Sequence, residues 1–269
     1  LNHHNVERLL AIMVRLRDPE RGCDWDLKQD FYSLIPYTIE EAYEVADAIE
    51  RNDLDDLRSE LGDLLLQVVF HSRIAEEQGL FNFEQVAATI GDKLISRHPH
   101  VFADVKYDSD EARQKAWDEA KALERKVKNK TGDKESVLDG VAKNLPALVQ
   151  CEKIQNRAAA HGFDWPEVMP VFAKVMEELE EVKEAWHSND QTHIQEEVGD
   201  LLLVGVNLAR HLKVNPEIAL KEATRKFSRR FQYIERQVAV TDRTLRDCEL
   251  DELDALWDEA KVRLKDKET

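Results

Sequence analysis

Apolar side chains recur at helical spacing along nearly the whole chain. Between residues 57 and 69, those at 57, 61, 64, 65, 68 and 69 follow this spacing. Steps of three and four line one face of a helix, and no run alternates convincingly at period two. The pattern predicts a helix over 39–51 and another over 54–77, paired antiparallel across a tight turn at Asn52-Asp53, with a stop at Gly79. It then repeats: 171–187 and 191–212 pair across Ser188-Asn189-Asp190, Val214-Asn215-Pro216 breaks the chain, and a further helix runs from about 217 to 238. Near the start, 6–16 is a shorter amphipathic segment carrying Glu7, Arg8 and Arg15.

The recurrence is literal. Gly22-Cys23-Asp24-Trp25 returns as Gly162-Phe163-Asp164-Trp165, and Glu40-Glu41-x-x-Glu44 as Glu177-Glu178-x-x-Glu181. Glu60-Leu61-Gly62-Asp63 returns as Glu197-Val198-Gly199-Asp200, Lys93-x-x-x-Arg97 as Lys226-x-x-x-Arg230, and Trp117-Asp118-Glu119-Ala120-Lys121 as Trp257-Asp258-Glu259-Ala260-Lys261. The order is kept, and the offset drifts only from about 133 to 140. A polar, charged stretch around Thr131-Gly132-Asp133 separates the copies and reads as a linker. The expected organisation is all-α: one four-helix-bundle-type domain over 1–128, a linker over 129–136 and a second such domain over 137–269.

Within each copy the acids are arranged to meet. Glu41 and Glu44 share a helix face, as do Glu60 and Asp63. The descent from Glu44 to the turn and the climb from the turn to Glu60 are each roughly 10–12 Å at 1.5 Å per residue. The hairpin thus returns both pairs to one level. Glu178, Glu181, Glu197 and Asp200 repeat the spacing, with fifteen residues again between the second and third acids. Converging carboxylates repel one another, and burial makes each harder to ionise. A hard divalent cation resolves the conflict, and carboxylates that leave room for water and phosphate oxygens suit Mg²⁺, with Mn²⁺ as a substitute. Solvated surface is the ordinary fate of Glu-rich helices. Here Asp63 and Asp200 adjoin apolar runs, and the spacing occurs twice. A ferritin-like di-iron centre would need Glu-x-x-His on two helices, but only Glu184-x-x-His187 fits.

Charge and composition narrow the use of such a site. Hydrophobic residues make up 42% and charged residues 35% of 269, a mix that favours helix. A formal charge of −17 repels nucleic acid and anionic membrane, so a polyanionic ligand would need a cation as go-between. No apolar run reaches the ~20 residues needed to cross a bilayer, and none reads as a signal peptide. Three scattered cysteines (Cys23, Cys151, Cys248) form no disulfide framework, which predicts a cytoplasmic protein. The basic pairs Lys93/Arg97 and Lys226/Arg230 offer phosphate contacts. Trp117 and Trp257, each one turn before a lysine, offer a ring to stack on a base or to fill a core. Acids for metal, bases for phosphate and an aromatic for a ring describe a nucleotide site.

These motifs resemble those of the MazG family of nucleoside triphosphate pyrophosphohydrolases over nearly the whole chain. Leu16-Arg17-Asp18-Pro19, Gly22-Cys23-Asp24-Trp25-Asp26 and Arg97-His98-Pro99-His100-Val101-Phe102 are similar to that family, besides the doubled acid signature. The resemblance implies a helical bundle, a homodimer, Mg²⁺, and cleavage of ribo- and deoxynucleoside triphosphates between the α and β phosphates. In the second copy it implies metal ligands Glu178, Glu181, Glu197 and Asp200, and nucleotide contacts from Lys174, Glu178, Glu196, Asp200, Lys226, Arg230, Trp257 and Lys261. The first-copy counterparts are Glu41, Glu44, Glu60 and Asp63 for metal, with Lys93, Arg97, Trp117 and Lys121 for nucleotide. Glu177 or Glu40 is available to orient a water, and His98 and His100 are expected to be structural. Lys174 matches Tyr37, and Lys153 roughly matches Met13, so the second copy has more cations and is expected to carry most of the activity. A scaffold that has lost catalysis, or cleavage at the β–γ bond, are the competing readings.

Overall fold

The computed structural model describes residues 4–103, 105–128, 136–241 and 243–264. The chain divides into two compact units, Leu1–Lys130 and Thr131–Thr269. Most of the expected linker, 129–135, lies outside the described residues. Both units are all-α, and no strand occurs among the described residues. The first contains α1 (His4–Leu16), α2 (Asp24–Leu27), α3 (Ile35–Glu50), α4 (Leu54–Glu77), α5 (Phe83–Arg97), α6 (Pro99–Phe102) and α7 (Asp110–Lys128). The second contains α8 (Ala147–Ala159), α9 (Val168–Ser188), α10 (Gln191–His211), α11 (Pro216–Ala239) and α12 (Leu250–Arg263). No described helix is long and apolar enough to cross a membrane.

The central hairpin of each unit is built by the same turn chemistry. Asn52 and Asn189 end α3 and α9 in the left-handed region, at φ 54° and 55°, which Asn tolerates better than most residues. The aspartate that follows caps the next helix: Asp53 accepts from the Asp56 amide, and Asp190 from those of Thr192 and His193. Fully buried Ala48 and Ala185, near these turns, let the paired helices approach closely. α3 begins earlier than the periodicity suggests because Pro36, in its first turn, is already set for a helix start.

Around the hairpins the other helices supply cover. In the first unit α1 and α5 pack on α4, and α7 packs on α5. Met13, Leu34, Val69, Phe70 and Ile74 form its core, with Leu9, Leu10, Phe31, Leu66 and Phe83 against it. Each large side chain buried there contributes about 1.5–3 kcal/mol. Met13 is therefore core, while the matching Lys153 is exposed. In the second unit α8 packs on α10 and α11, and α12 lies on α11. Val171, Val204, Val206, Ile234 and Val238 are buried within that unit.

The repeated Gly-x-Asp-Trp segments anchor the chain as it enters each hairpin, by different chemistry. A Cβ at Gly22 would overlap the carbonyl oxygens of Leu16 and Asp18, whereas Gly162 is required by its φ of 88°. In the second unit Asp164 accepts from Arg210 and His211 near the end of α10. In the first, buried Arg17 does the fastening. Its Nε and Nη2 donate to the Glu77 carboxylate at 3.0 and 2.7 Å, and its Nη1 reaches the carbonyls of Asp26 and Gln29. One guanidinium so ties the end of α1, the α2 loop and the end of α4.

Glu77→Ala would leave that guanidinium buried and uncompensated, and is expected to destabilise the first unit by about 3 kcal/mol. Acid acts on the same pair. Burial pushes the Glu77 carboxyl up, but Arg17 and then Arg73 together outweigh it and hold the group below the usual carboxylate range. Stability from a depressed carboxyl is present above its unfolded pKa and lost as pH falls through the folded one. Hydrogen exchange of α1 and α4 amides, corrected for intrinsic rates, should accelerate below about pH 4, and Glu77→Ala should remove that extra acid sensitivity.

Candidate functional site

Each hairpin gathers three of its four predicted acids. One oxygen from each of Glu41, Glu60 and Asp63 lies within 4.8 Å of the others, and the same holds for Glu178, Glu197 and Asp200. The fourth acids stand beside these trios. Glu44 is close enough to Glu41 and Glu60 to raise both carboxyls, and Glu178 and Glu197 act in the same way on Glu181. Asp200 and Glu196 are exposed. The apolar run beside Asp200 does not enclose it, because Leu202 and Leu203 are themselves exposed.

Crowding is visible in the acid–base balance. Burial, then Asp63 and Glu44, push the Glu41 carboxyl above its ordinary value. Glu60 is raised by burial, then by Glu44, Asp56, Asp63 and Glu41. Glu181 is raised by burial, with Lys174 opposing and Glu178 and Glu197 adding to it. Glu178 is the most buried of these acids, at 6% exposure. Its Oε1 meets the Lys174 ammonium at 2.8 Å, while its buried Oε2 has no hydrogen-bond partner. An unpartnered, buried carboxylate oxygen on a member of such a trio is costly without a cation. Three carboxylates with one solvent-facing member fit a hard divalent ion that keeps room for water and phosphate.

The predicted phosphate and base contacts divide between the acids and the outer helices. Lys174 is held on the acids: its ammonium bonds Glu177 at 2.7 Å as well as Glu178. On α11, Lys226 is exposed and the Arg230 guanidinium lies over the Trp257 ring, 5.4 Å from its centroid. Phe227 packs on Trp257 at 5.1 Å, and Lys261 pairs with Asp258. In the first unit the roles are exchanged. Lys121 sits over Trp117 at 3.9 Å, and Arg97 grips Glu124 through two bonds of 2.8 and 2.6 Å. Lys93 stands one turn before Arg97 on α5.

Sequence reasoning missed His193, whose Nε2 lies 3.1 Å from Glu197 Oε1. Its position one turn before a predicted ligand was the available signal. The matching residue in the first unit is Asp56, which adds to the repulsion on Glu60. His98 and His100 pack against each other and His100 against Tyr107; neither joins a trio. Glu184 and His187 are exposed and also outside the trios.

The MazG nucleotide pyrophosphohydrolase domain matches residues 29–102 and 170–237, more than half of the chain. The chain belongs to the MazG nucleotide pyrophosphohydrolase family. Both matched spans hold an acid trio and its basic pair, but Trp117, Lys121, Trp257 and Lys261 lie beyond them. A nucleoside triphosphate pyrophosphohydrolase of Escherichia coli K12 is 48% identical over 260 residues, 96% of this chain and 97% of that one. The nucleoside triphosphate pyrophosphohydrolase/pyrophosphatase MazG of Thermotoga maritima is 45% identical over 255 residues, 95% of each. A crystal structure of a mazG-related protein from T. maritima is 32% identical, with a TM-score of 0.38 over 43% of this chain and 98% of that one. The MazG-family chain is thus a hydrolase, built on two copies of one domain.

If the trios hold a divalent cation, adding Mg²⁺ or Mn²⁺ to metal-free protein should raise its melting temperature. Saturation at a hundred times Kd stabilises by about 2.7 kcal/mol. Replacing Glu178 and Glu197 together by Gln should remove the part of that gain that belongs to the second unit. Scanning calorimetry with and without the cation measures it.

Proposed function

We propose that this chain hydrolyses ribo- and deoxynucleoside triphosphates to monophosphate and pyrophosphate, mainly in its second unit. The observation that carries the reading is the trio of Glu178, Glu197 and Asp200, with a partnerless buried oxygen and a lysine at its rim. Glu178, Glu181, Glu197 and Asp200 would hold Mg²⁺, with Mn²⁺ as a substitute. Bound there, the cation offsets phosphate charge and polarises the α-phosphoryl group.

The side chains of the second unit supply the rest. Glu177, fixed by Lys174 at the edge of the trio, orients the attacking water. Lys174 then has two uses, as counter-ion to Glu178 and as a mobile charge for the triphosphate. Lys226 and Arg230 offset charge on the departing pyrophosphate, while Trp257 and Lys261 close on the nucleoside. Preference for this unit is supported by two exchanges against the first: Lys174 for Tyr37 and His193 for Asp56. Each makes the surroundings of the acids less negative, which favours a polyanionic substrate.

Apolar side chains left on the hairpin faces support a homodimer. Leu61, Leu65 and Val68 are exposed on α4, and Val198, Leu202 and Leu203 on α10. Contiguous patches of this kind mark surfaces that another chain covers. Free cysteines and the net charge suit a cytoplasmic enzyme that avoids membranes and nucleic acids.

Phosphorus NMR of ATP or dATP incubated with Mg²⁺ should yield monophosphate and pyrophosphate; diphosphate and orthophosphate would mean attack at the β–γ bond instead. Glu197→Ala or Asp200→Ala should lower kcat by about a thousandfold or more with helicity unchanged. Glu60→Ala and Asp63→Ala should lower it by less than about threefold. The opposite pattern would assign the work to the first unit.

A further inference from the structure

The two units carry the same cations on α5 and α11, yet they hold the arginine differently. Arg97 is gripped by Glu124 across 27 residues, with Nε on one carboxylate oxygen and Nη2 on the other. This is the fork-to-fork geometry in which a guanidinium receives a phosphate, so the carboxylate occupies the donors that a phosphate would use. Both partners are about three-quarters shielded, at 22% and 24% exposure, so solvent screens the pair only in part. In the second unit the repeat places Leu264 at the position of Glu124, because Trp117 and Lys121 return as Trp257 and Lys261. The Leu264 side chain has no acceptor, and Arg230 rests on the face of Trp257. An aromatic face holds a guanidinium through its ring quadrupole and leaves the N–H edge available for an anion.

We infer that Glu124 is the positioning residue that silences the first unit, an internal carboxylate that holds Arg97 in place of a substrate phosphate. The inference rests on the reading of the second unit as the working copy and supplies a cause for the difference. Substitution of Lys174 by Tyr37 removes one cation from the first unit, while Glu124 removes a second without changing the residue that bears it. The unit so retains a complete trio of acids and an arginine that is present but engaged.

The test uses the full chain carrying Glu197→Ala, which disables the second site. Its probes are Mg²⁺ with an α,β-methylene nucleoside triphosphate and, separately, Mg²⁺ with inorganic tripolyphosphate. Adding Glu124→Leu should tighten binding of both probes by about tenfold or more, since an intramolecular competitor has been removed. Adding Arg97→Ala to that double variant should abolish the gain, which a merely structural role for Glu124 would not do. Unchanged binding with intact helicity overturns the inference, as does a gain that survives Arg97→Ala. If Glu124→Leu does not fold, Glu124→Gln carries the same test, because a neutral amide competes less well for the guanidinium. Wild-type turnover by Glu197→Ala alone would instead defeat the assignment of the second unit as the working copy, a result read before Glu124 is touched.

Discussion

Repulsion among carboxylates is the constraint around which each unit is arranged. Three acids drawn within 4.8 Å of one another would separate if their backbones could yield. They cannot, because the helices that bear them are locked in register by a left-handed asparagine, a capping aspartate and a fully buried alanine. Packing energy spent elsewhere in the unit thus maintains a local arrangement that is unfavourable by itself. The carboxyls of Glu41, Glu60 and Glu181 are raised first by burial and then by their acidic neighbours. A ligand that relieves this repulsion gains affinity from the fold.

The copies have kept this core and diverged at its edges. Around Glu178 and Glu197 stand a lysine and a histidine, while the matching places near Glu41 and Glu60 hold a tyrosine and an aspartate. Tyr37 is drawn instead into an aromatic contact with Trp25. On the outer helices one unit settles lysine on its tryptophan and the other settles arginine there. Duplication followed by exchange of counter-charges leaves two sites with one backbone plan and different electrostatic environments.

Much of this was legible before any coordinates, and the rest was not for identifiable reasons. The hairpins declared themselves because helical periodicity and Asn-Asp turns are local features, read within a few residues. Convergence of Glu41 with Glu60 followed from counting the rise on either side of a turn. Arg97 with Glu124 could not be read in this way, since they stand 27 positions apart on different helices. Nor could the double engagement of Lys174, because a lysine near acids can face either them or a substrate. The exposure of Asp200 ran against the expectation drawn from its leucine neighbours, whose own exposure places that face at the surface of the chain.

The aspartate caps at 53 and 190 carry one more implication. Glu60 and Glu197, the first predicted metal ligands of their helices, each stand seven positions after the cap, close to two full turns, so the cap fixes the azimuth at which they emerge. One residue gained or lost in that interval would swing the glutamate through about 100° and out of reach of its partners. Length there is therefore held as firmly as residue identity. Drift between the repeats should gather in loops, where an insertion rotates nothing.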